Sequence, residues 1–374
     1  MKNFDTSIPD SQASVVEPVS PENFPFEEYI SYENNLSKRC RDFWNSNNGV
    51  VVYRRMRVAE VFSFGCCDMK KSLEWQLGAL AKSIAFKADI PNFLEPWYGI
   101  GTTASAFDID YTWNKGQSPA IQPKFKSINE ALNYPVKKVS DTEIGKHTLN
   151  MIEYFLVKTG SRLPMSFCDI QSPFNVAPNV VDSTAFFTEM YLNPNNIKSF
   201  LNLLADLIID FTLEQQKLVG DALVYPGHSF ASSREFGGFG MSEDNIIMID
   251  PDLYTELIAP SFEHIGDIFG GSVLHSCGDY SNKLDAVKRI RNLKMIDAAF
   301  SAETDPDPNP PEAFRDAFAN SGIVVNARIV GDLRTIEEKV NRLWAPGMKL
   351  VVVTFCQIPE EQARAYDLIH EICQ

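Results

Sequence analysis

The sequence predicts a (β/α)8 barrel, an α/β fold of the TIM type, preceded by an N-terminal extension. Three observations predict it. Short β-branched runs alternate with amphipathic helical stretches, most regularly after residue 270. The alternating units approach eight, and successive strand–helix units imply parallel strands joined by right-handed crossovers. No Gly-rich phosphate loop follows the first strand, as a doubly wound dinucleotide fold would require. With 374 residues and an apolar fraction of 44%, one large domain with a substantial core is expected.

Residues 1–25 are rich in Ser, Pro and acids and read as a flexible arm, so the barrel is assigned to residues 26–374. Its first strand is "GVVVYRR" at 49–55, followed by a helix over 70–84 and a second strand near 84–90 or 94–99. A helix over 142–158 leads to "PMSFCDI" at 164–170, and one over 195–218 leads to "DALVYPG" at 221–227. After a helix over 251–268, the remaining strands are "GGSVLHSC", "KMIDAAFS", "GIVVNARI" and "KLVVVTFC". Each of these four precedes a helical pattern. The Pro-rich "DPDPNPP" at 305–311 is a loop that leads into one of those helices.

Composition narrows the function. The net charge of −15, with 34 Lys and Arg against 49 Asp and Glu and no basic run, excludes a nucleic-acid or polyphosphate surface. Seven cysteines, an odd number without scaffold spacing, read as reduced thiols rather than a disulfide framework. No run has the length of a signal-peptide core or a membrane span, so a cytoplasmic enzyme is expected, with a homodimer allowed for.

The chemistry concentrates at strand ends. In a strand, residues i and i+2 share a face, so His275 and Cys277 at the end of "GGSVLHSC" point together beyond the strand. Cys356 closes the last strand, and in a barrel both ends open on one mouth. An imidazole and two thiols at a mouth are what a catalytic zinc takes, with a fourth position for water, substrate or a carboxylate. Glu303, after "KMIDAAFS", is the preferred fourth ligand and a candidate catalytic carboxylate, while Asp279 is closer in sequence but suits a helix cap. Cys168 is the substitute ligand. Taken one at a time, a strand-end Cys is more often a small core residue than a ligand, and a lone His more often a structural one.

"FGMSEDNIIMIDPDLYTELIAPSFEHI" running into "LHSCGDY", then "MIDAAFSAETDPD", "VNARIV" and "VVVTFCQIPEE", resembles the uroporphyrinogen decarboxylase superfamily of (β/α)8 barrels. Within it the chain is similar to the zinc- and cobamide-dependent methyltransferase branch, which includes the methylcobalamin:coenzyme M methyltransferases. The likeness runs from about residue 235 to the end, with weaker segments at "EPWYGIGTTASAFDIDYTW" and "SPAIQP". It implies zinc on His275, Cys277 and Cys356, with Glu303 carried over by position. It also implies a methyl group moving between a small thiol, methyl ether or methylamine and a corrinoid.

No corrinoid-binding motif surrounds any of the five histidines, so the corrinoid is expected on a separate partner protein. Asp244 in "MSEDN" lies where the family often has strand-end acids and is the second candidate catalytic carboxylate. Trp97 and Tyr98 in "EPWYGIG" and Asn326 in "VVNARI" are the substrate-binding candidates, although packing of the barrel end is the commoner role for two such aromatics. The decarboxylases' Arg-Gln-Ala-Gly-Arg-Tyr and Phe-Ser-Asp segments are replaced by "YRRMRVAEVFSFGCC" and "AFKADIPNF", which disfavours porphyrinogen decarboxylation. A metal-free lyase using Arg54, Arg55 and Arg57 on a carboxylated substrate is the alternative.

Overall fold

Three valines and a tyrosine fill the middle of β1 (Gly49–Arg54), and three more valines fill β6 (Lys349–Thr354). Such runs, buried on both faces, belong to parallel strands covered by helices on one side and core on the other. The computed structural model describes residues 11–61, 67–96, 100–112, 119–227 and 230–374. It joins β1 and β6 to β2 (Phe239–Ser242), β3 (Ser272–His275), β4 (Leu293–Ala299) and β5 (Val324–Ile329). The sheet is parallel throughout, in the order β1-β6-β5-β4-β3-β2.

Single bridges carry the wall from β1 round to β2, which gives the (β/α)8 barrel. Asp89 N–H donates to the Val52 carbonyl at 2.8 Å, Leu94 pairs with Met165, Met165 with Leu223, and Gln171 with Ser242. The strands expected at 164–170 and 221–227 are thus reduced to bridges. Pro164 and Pro226 lie in these segments and Pro91 just before Leu94, and a proline has no N–H for a ladder. The second strand falls near Leu94, while the end of the 94–99 window lies outside the described residues.

The helices fall where the apolar period placed them, at Met69–Ser83, Glu143–Thr159 and Pro194–Val219. The helix expected over 251–268 contains a π turn, Tyr254–Ile258, immediately before Ala259–Ile268. Pro260 explains it, because without an N–H it cannot complete the regular ladder. Among the described residues no helix is long and apolar enough to cross a membrane.

Residues 11–24, part of the expected arm, lie along the barrel. Ser14 N–H donates to the Arg57 carbonyl at 2.7 Å, Val19 N–H to the Glu74 carbonyl at 2.9 Å, and Val16 and Phe24 are buried.

One register row positions the site. His275 on β3 stands beside Asp297 on β4, which stands beside Asn326 on β5. Paired residues of adjacent parallel strands present side chains to the same face. The row therefore places an imidazole, a carboxylate and an amide side by side.

Candidate metal centre

The row forms a hydrogen-bonded chain. His275 Nδ1 lies 2.5 Å from Asp297 Oδ2, and Asn326 Nδ2 donates to Asp297 Oδ1 at 2.5 Å. Arg328 Nε donates to Asp297 Oδ2 at 2.9 Å, and Asp297 is only 1% exposed. Burial alone would raise the Asp297 carboxyl, but the Arg328 guanidinium and then His275 hold it below the ordinary aspartate value. An ionised Asp297 accepts a hydrogen bond from His275 Nδ1–H. That fixes the ring orientation and leaves Nε2 as the nitrogen turned away from Asp297.

Nε2 faces two further donors. Cys277 Sγ lies 3.4 Å away and Asp244 Oδ1 3.6 Å away. The ligand atoms of Asp244, His275 and Cys277 all fall within 4.8 Å of one another. A tetrahedral zinc with ordinary Zn–N and Zn–S bonds holds its nitrogen and sulfur about 3.5 Å apart. The imidazole–thiol spacing therefore fits one ion, and the carboxylate completes a mixed N, S, O donor set suited to zinc. Burial opposes an imidazolium at 275, yet the negative charge of Cys277 and the Asp297 carboxylate outweigh it and raise the His275 pKa well above its ordinary value, so an ion arriving at Nε2 must displace a proton.

Main-chain and amide bonds hold Asp244 in place. Its Oδ1 accepts from Cys277 N–H at 2.9 Å, and its Oδ2 accepts from Asn175 Nδ2 at 2.9 Å. The Asn175 oxygen in turn accepts from Asn245 N–H at 3.0 Å. Glu243 N–H donates to the His275 carbonyl at 2.7 Å, which ties the two ligand-bearing strand ends together. Glu243 itself is fully buried, and desolvation pushes its carboxyl up to about 8.

The structure brings together His275, Cys277 and Asp244, and leaves Cys356 and Glu303 outside this group. Glu303 is exposed, in a turn that Ser301 and Thr304 close by a 2.7 Å hydroxyl contact and a 2.9 Å main-chain bond. The oxygen beside His275 is thus supplied by Asp244. Cys356 is 5% exposed, and burial pushes its thiol up to about 11. Its carbonyl accepts from Arg54 Nε at 2.6 Å.

The other candidates have plain structural partners. Asn326 is fully buried, with its oxygen accepting from Ala231 N–H at 3.4 Å, so it orients a loop and Asp297. Asp279 accepts from Ser281 N–H at 2.8 Å, as a turn cap does. Cys168 is fully buried, with its thiol pKa raised by desolvation. Trp97 and Tyr98 lie outside the described residues. A cavity of about 430 Å³ lies beside the start of the Glu143–Thr159 helix, among Asp108, Asp110 and Asp141, and shares no residue with the ligand group.

Asp297 and Arg328 were not singled out by sequence reasoning. Their signal was present: one acid in "MIDAAF" and one base in "VVNARIV", each the one charge within an apolar stretch of its strand. A lone charge in a buried strand needs a partner, and two such charges on successive strands supply each other.

Fold and site together define an α/β barrel with side chains able to hold a metal ion at the C-terminal ends of its strands. The sequence profile described as Uroporphyrinogen decarboxylase (URO-D) matches residues 96–360, and the chain belongs to this family. Among solved structures, a methyltransferase from Methanosarcina mazei is similar at a TM-score of 0.64 and 12% identity, over 90% of this chain and 98% of that one. No curated protein matches in sequence.

Proposed function

We propose that the chain is a zinc-dependent methyltransferase of the uroporphyrinogen decarboxylase family, moving a methyl group between a small substrate and a corrinoid on a separate protein. The observation that carries this reading is the convergence of His275 Nε2, Cys277 Sγ and Asp244 Oδ1 within 4.8 Å. The structural likeness to a methyltransferase from Methanosarcina mazei agrees with it. The substrate is a thiol, or a methyl ether or amine, and the reaction takes place in the cytoplasm. Zinc, when bound, supplies a Lewis acid that keeps a coordinated thiol deprotonated at neutral pH.

The chain's own residues do the rest. Asp297 holds the Nδ1 proton of His275, so the imidazole donates from Nε2 and cannot rotate away. Asp244 and Cys277 share a main-chain bond, which sets their spacing before any ligand arrives. Cys356, carried by the loop after β6, is proposed as a further sulfur ligand, and Trp97 and Tyr98 as substrate walls.

The metal-free lyase reading needs free arginines at the mouth, and Arg54 and Arg55 already have partners within the chain. Arg54 is spent on the Cys356 carbonyl, the Arg55 carbonyl and Ser14 Oγ, and Arg55 pairs with Glu95 at 3.6 Å. Elemental mass spectrometry on protein prepared without a chelating tag tests the proposal. About one zinc per chain, lost in His275→Ala, and zinc-dependent demethylation of methylcobalamin by small thiols are expected. A wild type that stays zinc-free after reconstitution under reducing conditions overturns it in favour of the lyase.

A further inference from the structure

We infer that residues 11–17 form a strap across the barrel rim, and that Arg54 couples this strap to the corner carrying Cys356 and so positions that cysteine. The inference rests on the reading of Cys356 as a ligand. The observations behind the strap do not depend on it.

The strap spans two loops. At one end, Ser11 Oγ donates to the Glu303 carbonyl and Gln12 Nε2 to the Thr304 carbonyl at 3.4 Å. At the other, Gln357 Nε2 donates to the Ala13 carbonyl at 3.2 Å, and Arg54 Nη2 donates to Ser14 Oγ at 3.1 Å. The loops so joined follow β4 and β6 and carry the two sequence-predicted ligands that stand outside the Asp244, His275 and Cys277 group. Arg54 is 1% exposed and bonds both sides at once, with Nε on the Cys356 carbonyl and Nη2 on the strap. The Cys356–Gln357 corner is therefore tied to the strap through two consecutive residues.

The body of the barrel is shaped to receive the strap. Lys82 Nζ donates to the Val15 carbonyl at 2.6 Å, and Ser14 N–H to the Arg57 carbonyl at 2.7 Å. Gly78 lies inside the Met69–Ser83 helix, where glycine is disfavoured against alanine. A Cβ there would stand 1.9 Å from the Glu17 carbonyl oxygen. The glycine gives the strap its seat, and an added methyl group would evict it.

The test is alkylation of the full-length, metal-free protein by iodoacetamide, with each cysteine followed by peptide mass spectrometry. Ser14→Pro removes both the N–H and the hydroxyl that seat the strap at the rim. Gly78→Ala evicts it from the opposite end while favouring the helix. Arg54→Lys keeps a cation but cannot reach the Cys356 carbonyl and Ser14 together, and circular dichroism confirms its fold.

All three variants are expected to raise Cys356 labelling about tenfold, the scale of a local opening that has lost one or two hydrogen bonds. Cys168 and Cys373 should stay at wild-type rates. Unchanged Cys356 labelling in Ser14→Pro and Gly78→Ala overturns the inference, and so does an equal rise at all three cysteines, which marks general loosening. Zinc content measured alongside separates the two proposals, because the labelling result is obtained whether or not the wild type binds metal.

Discussion

Among the described residues, two Asp–His pairs are built on a buried aspartate, and they are put to opposite uses. At the mouth, His275 gives Nδ1 to Asp297 and leaves Nε2 facing a thiol and a carboxylate. On the side of the barrel near the start of β1, His370 gives Nε2 to Asp89 at 2.9 Å, and its Nδ1 faces Arg39 Nη2 at 3.4 Å. A guanidinium donates only, so it caps the lone pair that a metal would need. The two pairs share a core and differ in what stands beyond the second nitrogen. An Asp–His pair therefore identifies a metal site only when that nitrogen meets other ligand atoms.

The largest expected effect is at the mouth. Asp297→Ala leaves the Arg328 guanidinium buried without its counter-charge, so a stability loss of about 3–5 kcal/mol is expected by denaturant titration. The gentler Asp297→Asn should weaken zinc binding roughly 10–100-fold in a chelator competition, since His275 loses the partner that fixes its tautomer. An Asn variant with wild-type affinity would break the contrast between the pairs.

Asp89→Asn is the matching change at the second pair. Asp89 accepts from Val52 N–H, Tyr366 and His370. The loss expected is about 1–3 kcal/mol of stability, with zinc affinity untouched. The pH profile sharpens this. Burial would raise the Asp89 carboxyl, but His370 and Tyr366 hold it below its ordinary value. Its stabilising contribution is therefore fully present above the unfolded-state pKa and is lost as pH falls below about 4. The Asn variant should show a shallower acid limb, and a limb as steep as wild type would remove Asp89 from the account. Arg39→Ala, at a half-exposed ion pair, should cost at most about 1 kcal/mol and less in high salt.

Much of the barrel was legible because its strongest strands are continuous β-branched runs, and a single sequence shows such runs plainly. The opposite wall was harder to read, since Pro91, Pro164 and Pro226 break its ladder where side-chain pattern alone suggested full strands. At the site, His275 and Cys277 were legible from a spacing of two in a strand. Asp244 was read as a candidate catalytic carboxylate rather than a ligand, because nothing in sequence shows that Cys277 N–H reaches its side chain. Glu303 was favoured as a ligand from its strand-end position, but the turn built on Ser301 and Thr304 decides where that side chain goes. Long-range bonds of this kind have no local signature.

The bonds from Glu243 N–H to the His275 carbonyl and from Cys277 N–H to Asp244 have one more consequence. They make the bite of the ligand group a property of neighbouring strand ends rather than of the connecting loops. Sequence drift in those loops can then change which molecule is admitted while the spacing of these three side chains stays constant. Such an enzyme can acquire a new substrate by surface change alone.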